Sequence, residues 1–339
     1  MGKRVQCNRV AMSFFKETAY GTAIAPDTNI NKFYEPTEPI ILDVTQVRVD
    51  NASFIKGHEF PEGVTKEILV SQDIEIPFTF PLSLELMGLL LAFATGADTV
   101  SGISPDFTHT FVTSDLCAND QLPSTNWILG LVGETDSFLL VKGLVINDLT
   151  ISGTEVGFLT ISGTAYTDGS LTDKPAFTFP TSSSAVNFLV NTEMDYLTDV
   201  IGGTPVTKKS IFRGFEWSLN NNLDREAARS NIAAAGLFLG DLPVGDREVS
   251  LSVTVQGYPG DVTWDLFIAN TGQEVIVDVT KTAMREIEIQ HRETVIDECK
   301  ASFEGQRDVL SLTYKSFFNT TDSSPFLVTV ENGDAAYLT

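Results

Sequence analysis

Residues 63–76 read GVTKEILVSQDIEI, and a near copy, GDREVSLSVTVQ, returns at 245–256. Each follows a Pro-x-Gly turn, Pro61-Glu62-Gly63 and Pro243-Val244-Gly245, and each passes from a basic residue through Glu to a β-branched residue before alternation sets in. Alternation with a period of two marks a strand with one face buried and one face wet. In the first copy Ile68, Val70, Ile74 and Ile76 fall on one face, with Gln72 as the exception. Glu67, Ser71, Asp73 and Glu75 fall on the other, where Leu69 is the exception. In the second copy Val249, Leu251, Val253 and Val255 oppose Glu248, Ser250, Ser252, Thr254 and Gln256. A repeat constrains the fold before any single motif does.

The similarity continues in the same order along the chain. Phe93-Ala94-Thr95-Gly96 closes a helix after the first strand, as Ala269-Asn270-Thr271-Gly272 does after the second. Val145-Ile146-Asn147-Asp148 matches Val295-Ile296-Asp297-Glu298, each ahead of another alternating run, Phe158 to Ala165 and Val309 to Ser316. The predicted fold is therefore mainly β, two tandem copies of one β-sandwich or barrel domain, each with a flanking α-helix. Residues 1–40, with Pro26, Pro36 and Pro39, are expected to form an extended arm. The first β domain is placed at 41–175 and the second at 211–339. Between them, 176–210 is read as a linker because of Thr181-Ser182-Ser183-Ser184 and Gly202-Gly203-Thr204-Pro205.

Within the first domain Val44, Val47 and Val49 begin a strand, 54–63 is a loop, and Pro77 and Pro81 are expected to end the strand that follows. Ser83 fits the N-cap of a helix through Thr95, which Gly96 stops. Leu86, Leu89, Leu90 and Phe93 recur at helical spacing, predicting one face against a sheet. A loop over 102–125 holds a short strand from Phe107 to Val112, and strands follow at 127–131, 138–145 and 149–151. The second domain opens with Phe215-Glu216-Trp217-Ser218-Leu219 and a long loop at 224–244 holding a short helix at 226–235. One more strand follows Phe326, and the tail from Glu331 is expected to be weakly ordered.

The 45 acidic and 22 basic residues leave a net charge of −23. A protein that grips phosphates carries the opposite sign, whereas acidity favours solubility and also suits a salty habitat. Cys7, Cys117 and Cys299 are far apart and odd in number, so they imply no disulfide framework, and synthesis in a reducing compartment fits. His58, His109 and His291 are isolated, which gives no zinc site. No nucleophile elbow, metalloprotease helix, phosphate loop or dinucleotide fingerprint occurs, so no catalytic residue, metal or cofactor is predicted. Met1-Gly2-Lys3-Arg4 does not open a secretory signal, and the most apolar run, 86–94, falls short of the roughly 20 residues that span a bilayer. The pairs Asp73 with Glu75 and Glu286 with Glu288 share strand faces. In a glycosidase two carboxylates about 5 Å apart act as acid and nucleophile. Far more often such pairs belong to a solvated strand face. Trp127, Trp217 and Trp264 are read as core or interface residues.

The segment FKETAYGTAIAP at 15–26 resembles the N-terminal signature of siphovirus-type tail tube (major tail) proteins, in which Lys-Glu-Thr-x-Tyr-Gly-Thr-Ala-x-x-Pro precedes a β-rich body. The aromatic strand that runs into Asn220-Asn221-Asn222-Leu223 is similar to that family as well. The resemblance implies a tail-tube-like fold and a structural virion protein of a tailed bacterial or archaeal virus, made in the host cytoplasm. Its subunits would stack as rings into a conduit for DNA ejection, with a tape-measure protein and a tail terminator as partners and no membrane. Most such subunits have one domain and form hexameric rings. Two copies per chain imply trimeric rings of pseudo-sixfold symmetry, with 54–63, 224–244 and the arm touching neighbouring rings.

In such a ring the sheet edges pair and close a barrel whose polar face lines the channel. DNA must pass without specific binding, which suits carboxylates and hydroxyls, because basic residues would hold phosphates by counterion release. Glu67, Ser71, Asp73, Glu75, Glu248, Ser250, Ser252, Thr254 and Gln256 are the candidate lining. Two other classes remain open to the sequence. One is a surface adhesin or carbohydrate-binding β-sandwich, which should carry an export signal. The other is a carbohydrate-active enzyme with convergent carboxylates.

Overall fold

The computed structural model of the chain describes residues 10–17, 33–50, 67–113, 122–131, 138–167, 171–173, 188–225, 242, 244–257, 262–282, 285–304, 307–335 and 337. Among these, the first half contains β1 (Val10–Lys16), β2 (Asp43–Asp50), β3 (Glu67–Pro81), α1 (Leu84–Thr95), β4 (Thr99–Ile103), β5 (Asp106–Phe111), β6 (Thr125–Leu131), β7 (Leu139–Gly153), β8 (Thr160–Thr167) and β9 (Leu171–Asp173). The second half contains β10 (Met194–Val200), β11 (Val206–Thr207), β12 (Phe212–Asn220), β13 (Glu248–Gln256), α2 (Val262–Ile268), β14 (Gln273–Thr282), β15 (Arg285–Glu304), β16 (Arg307–Ser316) and β17 (Leu327–Asn332).

The principal sheet is antiparallel throughout, in the order β2-β3-β8-β7-β12-β13-β16-β15. The pairing order of its first four strands recurs in its last four, and β7 with β12 joins the two sets. Among the register shifts in each set, one falls at the same place in both. It falls at Asn147, between Ile146 and Asp148 against β8, and at Asp297, between Ile296 and Glu298 against β16. An extra residue on one strand of a pair bends it and raises its twist.

That bend lets two long strands, β7 and β15, run through two layers. The N-terminal half of β15 lies between β14 and β17, in a second sheet ordered β10-β14-β15-β17-β5-β4. In the same way β7 begins beside β6 and β9, with β1 outside β6, and ends between β8 and β12. Strict alternation builds the shared core: Val275, Val277 and Val279 of β14 are buried, as are Leu251, Val253 and Val255 of β13. Phe14, Phe78 and Trp127 close one end with edge-on ring contacts at 5.1 and 5.4 Å. Trp217 meets Phe326 at 5.3 Å at the other. Trp264, on α2, is half-buried and packs on Phe267 at 5.9 Å.

α1 begins and ends as its sequence dictates. The Ser83 hydroxyl accepts the Leu86 N–H at 3.2 Å, and Gly96 closes the helix at φ 77°. Its packing differs from the one-sided expectation, because every residue but Leu89 is buried, Glu85 included. The helix lies between the layers, against β7 and β15 and against β17 and β5. Asn221 fastens its last turn, donating from Nδ2 to the carbonyls of Ala94 and Ile146 at 3.0 and 2.9 Å.

Several elements depart from the sequence reading. Pro77 does not end β3 but lies within it, and the strand ends at Pro81. Thr79 turns its carbonyl toward the Thr37 N–H, past the end of β2, and Pro77, two residues earlier, has the same orientation. Its missing N–H therefore falls on a free edge, where proline is tolerated. The strands read at 138–145 and 149–151 are one strand, and β4 runs into the start of the loop read at 102–125. Part of the expected linker is β10, which pairs with β14 over Met194–Val200. Part of the expected arm is β1, paired along its length with β6. Glu17, inside the KETAYGTA segment, is buried and accepts the Gly143 N–H at 2.8 Å and the Ser124 hydroxyl at 2.5 Å. The tail is also tied down. The Tyr337 N–H donates to Asp98 at 2.7 Å, and Asn332 Nδ2 donates to the Leu84 carbonyl at 3.2 Å. The loops at 54–63 and 226–235, and residues 18–26 of the signature, lie outside the described residues.

Candidate functional site

One face of the principal sheet carries the core and the other is a field of hydroxyls. Directly paired residues share a face, so rows can be followed across strands. One row runs Thr79, Ser162, Thr150, Ser218, Ser250, Lys315. The next runs Thr160, Ser152, Glu216, Ser252, Thr313, Glu298. Neighbouring hydroxyls satisfy one another: Ser152 with Thr160 at 2.8 Å, Ser218 with Ser250 at 2.7 Å, and Ser252 with Thr313 at 3.4 Å. Thr164 donates to Asp148 within the same field.

Charge on this face is mostly acidic or compensated. Arg225 lies 3.6 Å from Glu75 and sits over the Tyr166 ring at 4.3 Å. Lys300 meets Glu298 at 2.9 Å, and Lys315 reaches toward the Phe317 ring at 5.9 Å. A surface of this kind offers polymer-length contact with neutral dipoles and carboxylates and few free cations. It is suited to letting a polyanion move and poorly suited to holding one.

The sequence-predicted residues fall unevenly. Glu248, Ser250, Ser252, Thr254 and Gln256 share the hydroxyl face of β13, opposite the buried Leu251, Val253 and Val255. Glu75 is half-buried on the same face of β3. Glu67, Ser71 and Asp73 lie where β3 pairs only with β2, beyond the reach of β8, and their side chains fall outside the described residues. A register shift between Val47 and Arg48 further separates position 67 from the alternation of 71, 73 and 75. Sequence reasoning missed Ser162, Thr164, Thr150, Ser218, Ser311 and Thr313. The signal was present in the runs TISGTAYT and VLSLTYKS, whose small polar residues alternate with apolar ones.

The remaining acidic pairs lie on the second sheet. Asp278 is paired with Asp195 on one side and Glu288 on the other, with Glu286 one alternation away. Burial, then the neighbouring carboxylates, raise the pKa of Glu286 to about 6 and lift Glu288 as well. Burial lifts Asp278 too, partly opposed by the Thr280 hydroxyl. Among the described residues no group of three or more His, Cys, Asp or Glu is arranged to hold a metal ion. His109 is buried against Asp98 at 2.9 Å, and His291 against the Ser316 hydroxyl at 2.6 Å.

The sequence profile of phage tail tube proteins matches residues 8–293, most of the chain. The chain belongs to the phage tail tube protein family. It is a structural component of the virion tail that self-assembles into a polymeric tube, and the family is not enzymatic. Among solved structures, the hybrid solid-state NMR and cryo-EM structure of the SPP1 tail tube is similar over 44% of this chain and 82% of its own, at 14% identity and a TM-score of 0.30. No curated protein matches the chain.

Proposed function

We propose that this tail tube protein assembles as trimeric, pseudo-sixfold rings whose stacked hydroxyl faces line the conduit for genome ejection. The observation that carries the proposal is the recurrence of one four-strand order within a single sheet, β2-β3-β8-β7 followed by β12-β13-β16-β15, with one continuous polar face. On this reading the chain is a tandem duplication in which each set of four strands fills the place of one single-domain subunit. Three chains then supply six sets. Closing the sheet removes the two edges that a free subunit leaves open. The face with Glu75, Glu248, Ser250, Ser252, Thr254 and Gln256 turns inward, and DNA passes it without specific binding. A tape-measure protein and a tail terminator set the length.

Negative-stain electron microscopy of the purified chain, at raised concentration and across a range of salt, tests this. Hollow rings or tubes with threefold or pseudo-sixfold end views are expected. Compact single particles under every condition would remove the ring and the conduit together.

A further inference from the structure

The principal sheet ends on two edges, each paired on one side only among the described residues. β2 pairs only with β3, and the C-terminal half of β15 pairs only with β16. Strands in the corresponding positions already meet inside the chain, where β7 and β12 pair antiparallel. That internal junction serves as a template for the external one. Asp148, Thr164 and Pro77 are paired in succession across the first set, as Glu298, Thr313 and Ser252 are across the second. Carrying this alignment one strand further matches Ser218 with Asp43, since they oppose Ser250 and Glu75 respectively. Thr150 correspondingly matches Lys300. Ser218 faces Thr150 across the internal junction.

We infer that β2 of a second copy of this chain adds antiparallel to β15 of the first, with Asp43 opposite Lys300, Val44 opposite Cys299 and Thr45 opposite Glu298. The inference rests on the ring-forming reading above and supplies its register. The alternation agrees: Leu42, Cys299 and Ala301 are partly buried against the core, and Leu42 falls opposite Ala301. Val44 is 40% exposed and Ile41 63%, apolar surface on an open edge that the junction covers. Charge agrees as well, because Asp43 and Lys300 are both exposed and opposite in sign, and Lys300, 2.9 Å from Glu298 on its own strand, would be shared between the two carboxylates. Directly opposed unlike charges favour one register and like charges oppose it. The internal junction has neutral Ser218 and Thr150 at this place, so the ion pair also distinguishes contact between copies from contact within one. A contact between two different edges is heterologous, and it propagates into a ring where the rotation closes.

The full-length chain provides the test, with assembly read by electron microscopy and sedimentation. Asp43→Lys and Lys300→Asp should each lower assembly by about two- to fivefold per junction, and the two together should restore it. Val44→Cys, in a background carrying Cys7→Ser and Cys117→Ser, should crosslink to the native Cys299 on mild oxidation and give a covalent ladder, because directly opposed strand positions lie within disulfide reach. Thr45→Cys in the same background should not. Tubes that form normally without the crosslink and without charge-swap rescue would overturn the register and leave the ring reading standing. A chain that never assembles would overturn both.

Discussion

Glu286 shows how a single residue of this acidic chain sets a pH response. Burial, and then the neighbouring charges of Asp278, Glu331 and Glu288, hold its pKa at about 6 against an ordinary 4.5. The folded state therefore binds this proton more tightly than the unfolded chain does. Its contribution favours folding on the acid side and is lost as pH rises from about 4.5 through about 6. His291 acts in the opposite sense: burial lowers its pKa from 6.5 to about 4, so its contribution is lost as pH falls through that interval. The two oppose each other over the same window, and a substitution separates them. Glu286→Gln is expected to raise the melting temperature above pH 6.5 and leave it unchanged near pH 4, with the His291 response intact. Thermal melts of both proteins at closely spaced pH values check this. An equal shift at every pH would mean that the carboxylate charge is not what matters.

At the scale of elements, the two sets of strands solve the same packing problem with different residues. Phe78 of β3 is paired with Gly163 of β8, whereas at the corresponding place Val253 of β13 is paired with Leu312 of β16. A large residue beside none occupies roughly the room of two middle-sized ones. A Cβ on Gly163 would overlap the Asp148 carbonyl oxygen and come 2.9 Å from the Phe78 ring. Gly163→Ala should therefore destabilise by about 1–3 kcal/mol through overpacking. Leu312→Ala should cost about 2–5 kcal/mol through the cavity it leaves. Urea midpoints of the two variants measure both, and a neutral Gly163→Ala would show that β7 and β8 can separate to admit a methyl group. This complementarity is why the recurring strand order was legible only in outline. The near-identical strings equate Glu67 with Glu248, but the pairing equates Pro77 with Ser252, a different offset. Alternation reports which face is buried and not which neighbour a strand has, and β3 is long enough to alternate twice over. The β13 face and the caps of α1 could be read because each depends on local chemistry, whereas the matching strings at 145–148 and 295–298 gave no sign of the register shifts they carry. The membership of β10 and β1, and the burial of α1 on all sides, depend on distant partners that no local pattern names.

For the whole molecule, a charge of −23 is ambiguous until it is located. Part of it lies on the second sheet, around Asp278, Glu286 and Glu288. The hydroxyl face is different in kind, since neutral Ser and Thr dominate its rows and carboxylates such as Glu216 are scattered among them. If that face lines a conduit, its function lies in weak and uniform contact, and adding cations there should turn a passage into a binding site. Glu216→Lys and Ser250→Lys change exposed positions on adjacent strands and leave the core face alone. Tubes of the double variant should still form and should retain double-stranded DNA at low salt. Release should steepen with salt by about 0.9 logarithmic units per neutralised phosphate for each logarithmic unit of salt. Wild-type tubes should show no such retention. Assembled variants that bind DNA no better than the wild type would place these rows away from the path of the genome, and the role of the hydroxyl face would have to be reassigned.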